Sequence, residues 1–177
     1  MAYRTLERAV LISGSPSRHS RSRLLLEHAH ARLFARGFEA TLVELASLPA
    51  DALLGRDSDP RLDEALEAVA GAPIVVAGSP VYRATYSGLL KVFFDLLAPD
   101  SLAGSVAVPV LTGGSPGHQL ALEHGLRPLL ASLGATVIAT GVYGCDAQFG
   151  GGPDAALLER IDRAIDAAIS LQPARVA

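Results

Sequence analysis

The sequence predicts an α/β fold, a three-layer sandwich in which helices cover both faces of a five-stranded parallel sheet. Short apolar runs alternate along the chain with longer segments of helical spacing. Such runs are typical of strands buried on both faces, as in a parallel sheet. Because 177 residues is the length of one typical domain, we expect a single domain over residues 1–177, with an ordered core from about residue 8 to 171.

The first strand is predicted at residues 9–12, an apolar run that ends before Gly14. The first helix follows at residues 20–36, where apolar side chains recur at helical spacing, and Gly37 supplies the residue that ends it. The second strand is predicted at residues 40–45.

The second helix begins at Asp59 and Pro60, since proline is tolerated at the first helical position, and ends at Gly71. The third strand is predicted at residues 74–77. A helix at residues 88–97 follows, and it is apolar nearly all round.

The fourth strand is predicted at residues 106–111 and the fifth at residues 137–142, with a long helix at residues 119–133 between them. Asp154 caps a last helix, whose apolar residues continue to Ile169. Right-handed crossovers leave few arrangements for five parallel strands, and the commonest at this length is the flavodoxin-like order 2-1-3-4-5.

The composition excludes several classes of protein. The net charge of −3 argues against a nucleic-acid-binding protein, and the one cysteine, Cys145, rules out a disulfide within the chain. Lys91 and Asp95 interrupt the richest apolar stretch, which leaves no transmembrane segment. Acidic Glu7 before a short apolar run makes a poor signal peptide. We therefore expect a cytoplasmic protein that binds neither membrane nor nucleic acid.

Ligands of open parallel sheets bind beyond the carboxyl ends of the strands, so the loops there are the candidate site. The loop at residues 13–22 precedes a helix N-terminus, where free N–H groups favour an anion. Its candidate phosphate ligands are Ser15, Arg18, Ser20, Arg21 and Ser22. The loop has neither the Lys-Ser/Thr end of a Walker loop nor a Gly-x-Gly-x-x-Gly motif, which favours a monophosphate. The alternative is a serine-capped helix with solvated arginines.

Two further loops suit a planar ligand. The loop at residues 78–88 holds Tyr82 and Tyr86, which can form an aromatic wall or merely close the end of the core. The loop at residues 112–117 offers backbone amides that no large side chain shields, and these can donate to the edge of a ring.

Other chemistries are disfavoured. Gly113-x-Ser115-x-Gly117 matches the nucleophile elbow of hydrolases, yet no histidine follows Asp146, the best candidate acid. The first loop lacks the cysteine of a tyrosine phosphatase. His28 and His30 point apart on their helix. We predict no metal and no catalytic side chain.

Three motifs together resemble the flavodoxin-like NAD(P)H-dependent FMN reductases. They are GSP at 14–16 with SRS at 20–22, SPVYRATYSGLLKVFFD at 79–95, and TGGS at 112–115. The resemblance covers nearly the whole chain and is greatest to the reductase components of two-component alkanesulfonate-type monooxygenase systems. It implies hydride transfer from NADPH or NADH to FMN, and supply of the reduced flavin to a partner monooxygenase.

The resemblance also implies where FMN binds. The phosphate would lie on Ser15, Ser20, Arg21 and Ser22. The ring and ribityl chain would be lined by Pro80, Val81, Tyr82 and Arg83, with Thr112, Gly113, Gly114 and Ser115 at the other edge. Arg18 or Arg83 would contact the phosphates of the nicotinamide nucleotide. NADPH is slightly favoured over NADH as the hydride donor. The alternatives are an FMN-containing quinone, azo or chromate reductase on the same fold, and a flavodoxin-type electron carrier, which is usually more acidic.

Members of the family form dimers or tetramers. The helix from Leu89 to Leu97 needs a cover on both sides, which a second subunit would supply. In the alkanesulfonate reductase, the helix after strand four carries an inserted tyrosine that forms a π-bulge at the subunit contact. His124 matches that position here. We expect a homodimer or homotetramer through these two helices, and the histidine leaves open whether FMN is a substrate or a tightly bound group.

Overall fold

The computed structural model describes residues 7–172 as a central sheet between two layers of helices. The strands are β1 (Glu7–Ser13), β2 (Phe38–Glu44), β3 (Ile74–Tyr82), β4 (Thr85–Tyr86), β5 (Val106–Gly113), β6 (Thr136–Val137) and β7 (Val142–Cys145). The helices are α1 (Arg21–Ala35), α2 (Ala50–Leu53), α3 (Pro60–Ala70), α4 (Gly88–Asp95), α5 (Arg127–Ser132) and α6 (Ala155–Ser170). Residues 1–6, which belong to the segment considered above as a signal peptide, lie outside the description.

The sheet confirms the predicted parallel α/β architecture but corrects the predicted strands. Its main path runs β2-β1-β3-β5-β6, with β7 also paired to β5 and the short β4 antiparallel to β3. The prediction of five strands in the order 2-1-3-4-5 was therefore wrong in detail, because the sheet has seven strands within residues 7–172.

The predicted fifth strand is split in two because of Pro109 in the neighbouring strand. Ala107 accepts a hydrogen bond from the Ile138 N–H at 3.0 Å, so alternate residues of β5, including Pro109, face the fifth strand. Proline has no N–H to donate, and the ladder is interrupted opposite it. Arg127 binds the freed carbonyls of Ile138 and Ala139 at 2.7 and 2.9 Å.

The helix predicted at residues 119–133 is not a continuous α-helix. A 3₁₀ turn, Pro116–Gln119, and a π-helical turn, Leu122–Leu126, precede α5. Pro128 cannot donate to the carbonyl of residue 124, which removes one α-helical hydrogen bond at this point. The π-helical turn therefore ends beside Pro128, in the first turn of α5.

Smaller differences concern helix ends. The helix predicted to reach residue 97 ends at Asp95, because the next two N–H groups make the tighter bonds to residues three positions back. The segment at residues 46–59, which has no predicted helix, contains the short α2.

Two hydrophobic cores lie on opposite faces of the sheet. Val10 and Ile12 of β1 face the core beneath α3, α4 and α5, while Ala9 and Leu11 face the core beneath α1 and α6. The strands are thus apolar on both sides, as their sequences predict. Within residues 7–172, no helix is both long enough and apolar enough to cross a bilayer.

Candidate functional site

The ends of adjacent strands bring three predicted loops together. Ser13 at the end of β1 lies opposite Gly78 of β3, and Pro80 of β3 lies opposite Thr112 of β5. Since these strands are parallel, their carboxyl ends form one edge of the sheet, where ligands of open α/β sheets bind.

The first loop joins β1 to α1 and carries the predicted phosphate-binding serines. Ser20 is the N-cap of α1, because its Oγ accepts a hydrogen bond from the Arg23 N–H at 3.2 Å. Its hydroxyl also lies 3.2 Å from that of Ser22, and Ser15 Oγ accepts from the Ser17 N–H at 3.1 Å. Ser15 and Ser22 are buried and Ser20 is half-buried. Of the three predicted serines, Ser20 is the most accessible to a ligand.

The two predicted arginines of this loop have different surroundings. Arg18 is exposed. Arg21 forms an ion pair with Asp146, and its guanidinium carbon lies 5.7 Å from the centroid of the Phe149 ring. Asp146 and Phe149 follow β7, so Arg21 joins the first loop to the loop after the last strand. The sequence prediction missed this contact, whose only signal was that both loops follow strands of the same sheet.

Two buried serines that the sequence prediction left out of the site order the second loop, and one of them, Ser87, also holds it against the first. Ser79 Oγ accepts from the Ser87 N–H at 2.9 Å and donates to the Pro80 carbonyl at 2.9 Å. Ser87 Oγ donates to the Gly14 carbonyl and caps α4 by accepting from the Leu90 N–H at 3.1 Å. These bonds form in the protein interior, where an unpaired polar group is costly. They give the two loops a defined relative position.

The second loop is an antiparallel hairpin of β3 and β4. Pro80 and Val81 are half-buried, while Tyr82 is 49% exposed and Arg83 is exposed. The turn consists of Arg83 and Ala84, both in the left-handed region with φ of 50° and 71°. The hairpin therefore presents an aromatic ring and a cation beside the first loop.

The third loop follows β5 and contains the predicted residues Thr112, Gly113, Gly114 and Ser115, of which the first two are buried and the last two exposed. A Cβ built on Gly113 would lie 2.7 Å from Tyr143 Oη, so only glycine allows this approach. The Tyr143 hydroxyl donates to the Ser115 carbonyl. Burial raises the pKa of Tyr143, which keeps the phenol neutral and able to donate.

This set of groups fits FMN. Hydroxyls and N–H groups at the start of α1 suit a phosphate, the exposed Tyr82 suits one side of a planar ring, and the unshielded backbone at Gly114 suits a polar ring edge. In the part of the chain that the structure describes, no three His, Cys, Asp or Glu side chains gather as metal ligands.

Comparison with known proteins decides the family. The sequence model described as NADPH-dependent FMN reductase matches residues 8–150. The chain belongs to the NADPH-dependent FMN reductase family. An FMN reductase (NADPH) from Pseudomonas putida strain KT2440 is 39% identical over 140 residues, covering 78% of this chain and 71% of the relative.

Two further relatives match more of this chain. The NADH-dependent FMN reductase SfnF of Pseudomonas putida is 37% identical over 166 residues, covering 90% of this chain and 89% of that protein. The crystal structure of the apo form of an NADH:FMN oxidoreductase (EMOB) matches with a TM-score of 0.89 and 37% identity, covering 96% of this chain and 92% of that one. These matches confirm the predicted family, the flavodoxin-like α/β fold, and the predicted NAD(P)H-dependent reduction of FMN.

Proposed function

We propose that this FMN reductase binds FMN across the three loops at the carboxyl edge of β1, β3 and β5. The observation that carries the proposal is the register of these strands, since the phosphate-type loop, the aromatic hairpin and the glycine loop end adjacent strands. Residues 1–177 would then act as one FMN-binding domain. The thirteen residues predicted from the sequence would form this site, some as ligands of FMN or of the nicotinamide nucleotide and some as supports of the loops.

The phosphate would be held by the start of α1. The capping bond uses an acceptor lone pair of Ser20, so with Ser22 donating in the contact between the two hydroxyls, the Ser20 proton would be donated to a phosphate oxygen. Free N–H groups in the first turn of α1 add further donors. Arg21 would contribute by sharing its guanidinium with Asp146 or by releasing that carboxylate. Buried Ser15 and Ser22 would act mainly by keeping the loop in shape.

The ring would be placed by the other two loops. Val81 and Tyr82 would cover apolar surface of the ring, and backbone N–H groups at Gly114 and Ser115 would donate to its polar edge. Tyr143 fixes the glycine loop through its bond to the Ser115 carbonyl. When bound, FMN supplies the hydride-accepting chemistry, so no side chain of the protein needs to act as a general acid or base.

The nicotinamide nucleotide would meet two exposed cations. Arg18 and Arg83 lie in the first loop and at the tip of the hairpin, and we propose that they bind its phosphates. The relatives include NADPH-dependent and NADH-dependent reductases, so either donor fits this scheme.

We also propose a homodimer or homotetramer and a partner monooxygenase. Leu89, Val92, Leu96 and Leu97 on and after α4 are only partly buried in one subunit, and His124 is exposed on the neighbouring π-turn. A second copy covering these residues would remove apolar surface from water. Use of a reduced nicotinamide nucleotide and the free thiol of Cys145 support a cytoplasmic location.

The test of this function is the oxidation of NADPH and of NADH by the purified protein at increasing concentrations of added FMN. If FMN is a substrate, the rate requires added FMN and saturates with it. A protein that arrives with bound flavin and ignores added FMN would instead act on another acceptor, such as a quinone. Absence of nicotinamide oxidation under all conditions would contradict the proposal.

A further inference from the structure

The hairpin that carries Tyr82 and Arg83 is strained. Arg83 and Ala84 have φ of 50° and 71°, although neither is a glycine. This region is sterically unfavourable for a non-glycine residue, and such conformations persist where the surrounding structure holds them. The hairpin itself contains two cross-strand residue pairs. An isolated ribbon of this size is not stable, so its support has to come from neighbouring elements.

The π-helical turn Leu122–Leu126 supplies that support. The N–H of Arg127 donates to the carbonyl of Leu122, five residues earlier, which widens the turn. Gly125 in this turn lies directly against β4. A Cβ built on Gly125 would be 2.5 Å from Thr85 Oγ1 and 3.4 Å from Tyr86 Cδ1. The first distance is shorter than any ordinary contact, so even a methyl group requires the Thr85 side chain, the hairpin or the turn to move.

The absence of a side chain at Gly125 is therefore a packing requirement. Its φ does not lie in the left-handed region, so its backbone conformation is open to other residues. Glycine is less favourable than alanine within a helix. Glycine at this position allows the π-turn to approach the hairpin closely.

We propose that Gly125 is a positioning residue for flavin binding. By letting the π-turn lie against Thr85 and Tyr86, it holds the strained hairpin where Tyr82 and Arg83 line the ring site. This inference rests on the proposed function, because it takes that hairpin to be a wall of the flavin site. Gly125 acts through the hairpin and touches neither FMN nor the nicotinamide nucleotide.

The test combines one substitution with two matched second substitutions. Gly125→Ala is expected to raise the Kd for FMN, followed by the flavin fluorescence, by roughly tenfold or more, since small displacements of positioning groups have effects of this size. Thr85→Ala removes Oγ1, the one atom closer than 3 Å to the new methyl group, and should restore binding in the double variant. Thr85→Val puts a methyl group in place of Oγ1, so the double variant of Thr85→Val with Gly125→Ala should not regain binding.

Hydrogen exchange of the ligand-free protein provides a readout that does not depend on activity. Gly125→Ala should accelerate exchange in the peptide containing residues 81–86, and Thr85→Ala, but not Thr85→Val, should reverse this. Gly151→Ala is the control, since a Cβ there meets nothing within 4 Å, and it should change neither measurement. In case Gly125→Ala yields no folded protein, Thr85→Leu crowds the same contact from the half-buried hairpin side and should weaken FMN binding likewise.

Unchanged FMN affinity and hairpin exchange in Gly125→Ala, or in Thr85→Leu where that variant is needed, would overturn the inference. Equal rescue by alanine and valine at position 85 would also overturn it, because relief of crowding would then not be the cause. If the wild-type protein neither binds FMN nor oxidises NAD(P)H, the proposed function fails, whereas the exchange experiment still decides whether Gly125 positions the hairpin.

Discussion

At the scale of single residues, the candidate site depends on hydroxyl groups that are already hydrogen-bonded within the protein. Ser20 caps α1, Ser79 accepts from the Ser87 N–H within the hairpin loop, and Ser87 connects that loop to the first loop. Prior hydrogen bonding fixes these side chains, so a ligand meets groups whose positions are set before it binds.

Ser87→Ala tests the connection between the first two loops. The substitution removes the cap of α4 and leaves the buried Gly14 carbonyl without its donor, so we expect a loss of about 2 kcal/mol in the free energy of unfolding. Urea unfolding measures this as a lower midpoint at unchanged slope. Ser132→Ala is the matched control, because that exposed hydroxyl bonds only within its own helix, to the Leu129 carbonyl. Equal midpoints for the two variants would contradict the role of Ser87.

Asp146→Asn tests how Arg21 takes part in binding. In the proposed site, the carboxylate would compete with the phosphate of FMN for the same guanidinium, so its neutralisation should strengthen FMN binding by about two- to fivefold. The affinity for riboflavin, which has no phosphate, should stay the same. Titration of both flavins measures the difference. Weaker FMN binding would show that Asp146 supports the site and does not compete with the ligand.

The residues of the candidate site stand out in the sequence where their chemistry is unusual for this chain. A serine- and arginine-rich loop after an apolar strand, paired tyrosines and a Gly-Gly loop all stand out along the chain. The Ser87–Gly14 hydrogen bond and the Arg21–Asp146 ion pair were not predictable, since both depend on which loops meet in space. No spacing in the sequence encodes such contacts between distant segments.

At the scale of elements, the ends of helices and the interruptions of regular structure lie at residues that favour them locally, namely capping side chains and prolines. Ser20, Asp59, Ser87 and Asp154 all cap helices with their side chains. The split of the predicted fifth strand had a signal in Pro109, but its effect depends on which side of β5 the missing N–H faces. The π-turn likewise has a signal in the sequence, Pro128, but the close approach of Gly125 to β4 depends on the tertiary structure.

Asp154→Ala tests the capping of the last helix. Asp154 Oδ1 accepts from the Leu157 N–H at 2.7 Å, and its loss should cost about 1 kcal/mol and lower the Tm by about 2–4 °C. Asp154→Asn keeps an acceptor oxygen in place and should retain most of the stability. Thermal unfolding followed by circular dichroism distinguishes the two variants, and an equal loss in both would show that charge, not capping, stabilises α6.

At the scale of the whole molecule, apolar side chains on and near α4 and the π-turn are left partly or largely exposed. Leu120, one turn before His124, is 64% exposed, and the half-buried side chains of α4 belong to the proposed contact face. The alternation of strands and helices predicted the layers and the parallel sheet. The sequence did not predict how many subunits assemble. A helix that is apolar all round indicates that another subunit covers it, but not the symmetry of the oligomer.

Leu120→Asp tests the proposed subunit contact. A charge within a buried contact is costly, so the variant should shift the protein towards smaller species in sedimentation velocity. Leu54→Asp places the same charge on another leucine, which is 53% exposed after α2, and should leave the distribution unchanged. A wild-type protein that sediments as a monomer at all concentrations would contradict the proposed assembly.

The most direct test of the three-loop flavin site is a comparison of FMN and riboflavin binding to the wild-type protein and to Ser20→Ala. A phosphate held by the start of α1 should make FMN bind at least about tenfold more tightly than riboflavin, since each charge-assisted hydrogen bond contributes roughly 1.5–3 kcal/mol. Ser20→Ala should reduce this ratio while leaving riboflavin binding almost unchanged. Equal affinities for the two flavins, or a ratio that Ser20→Ala leaves intact, would contradict the placement of the phosphate on this loop.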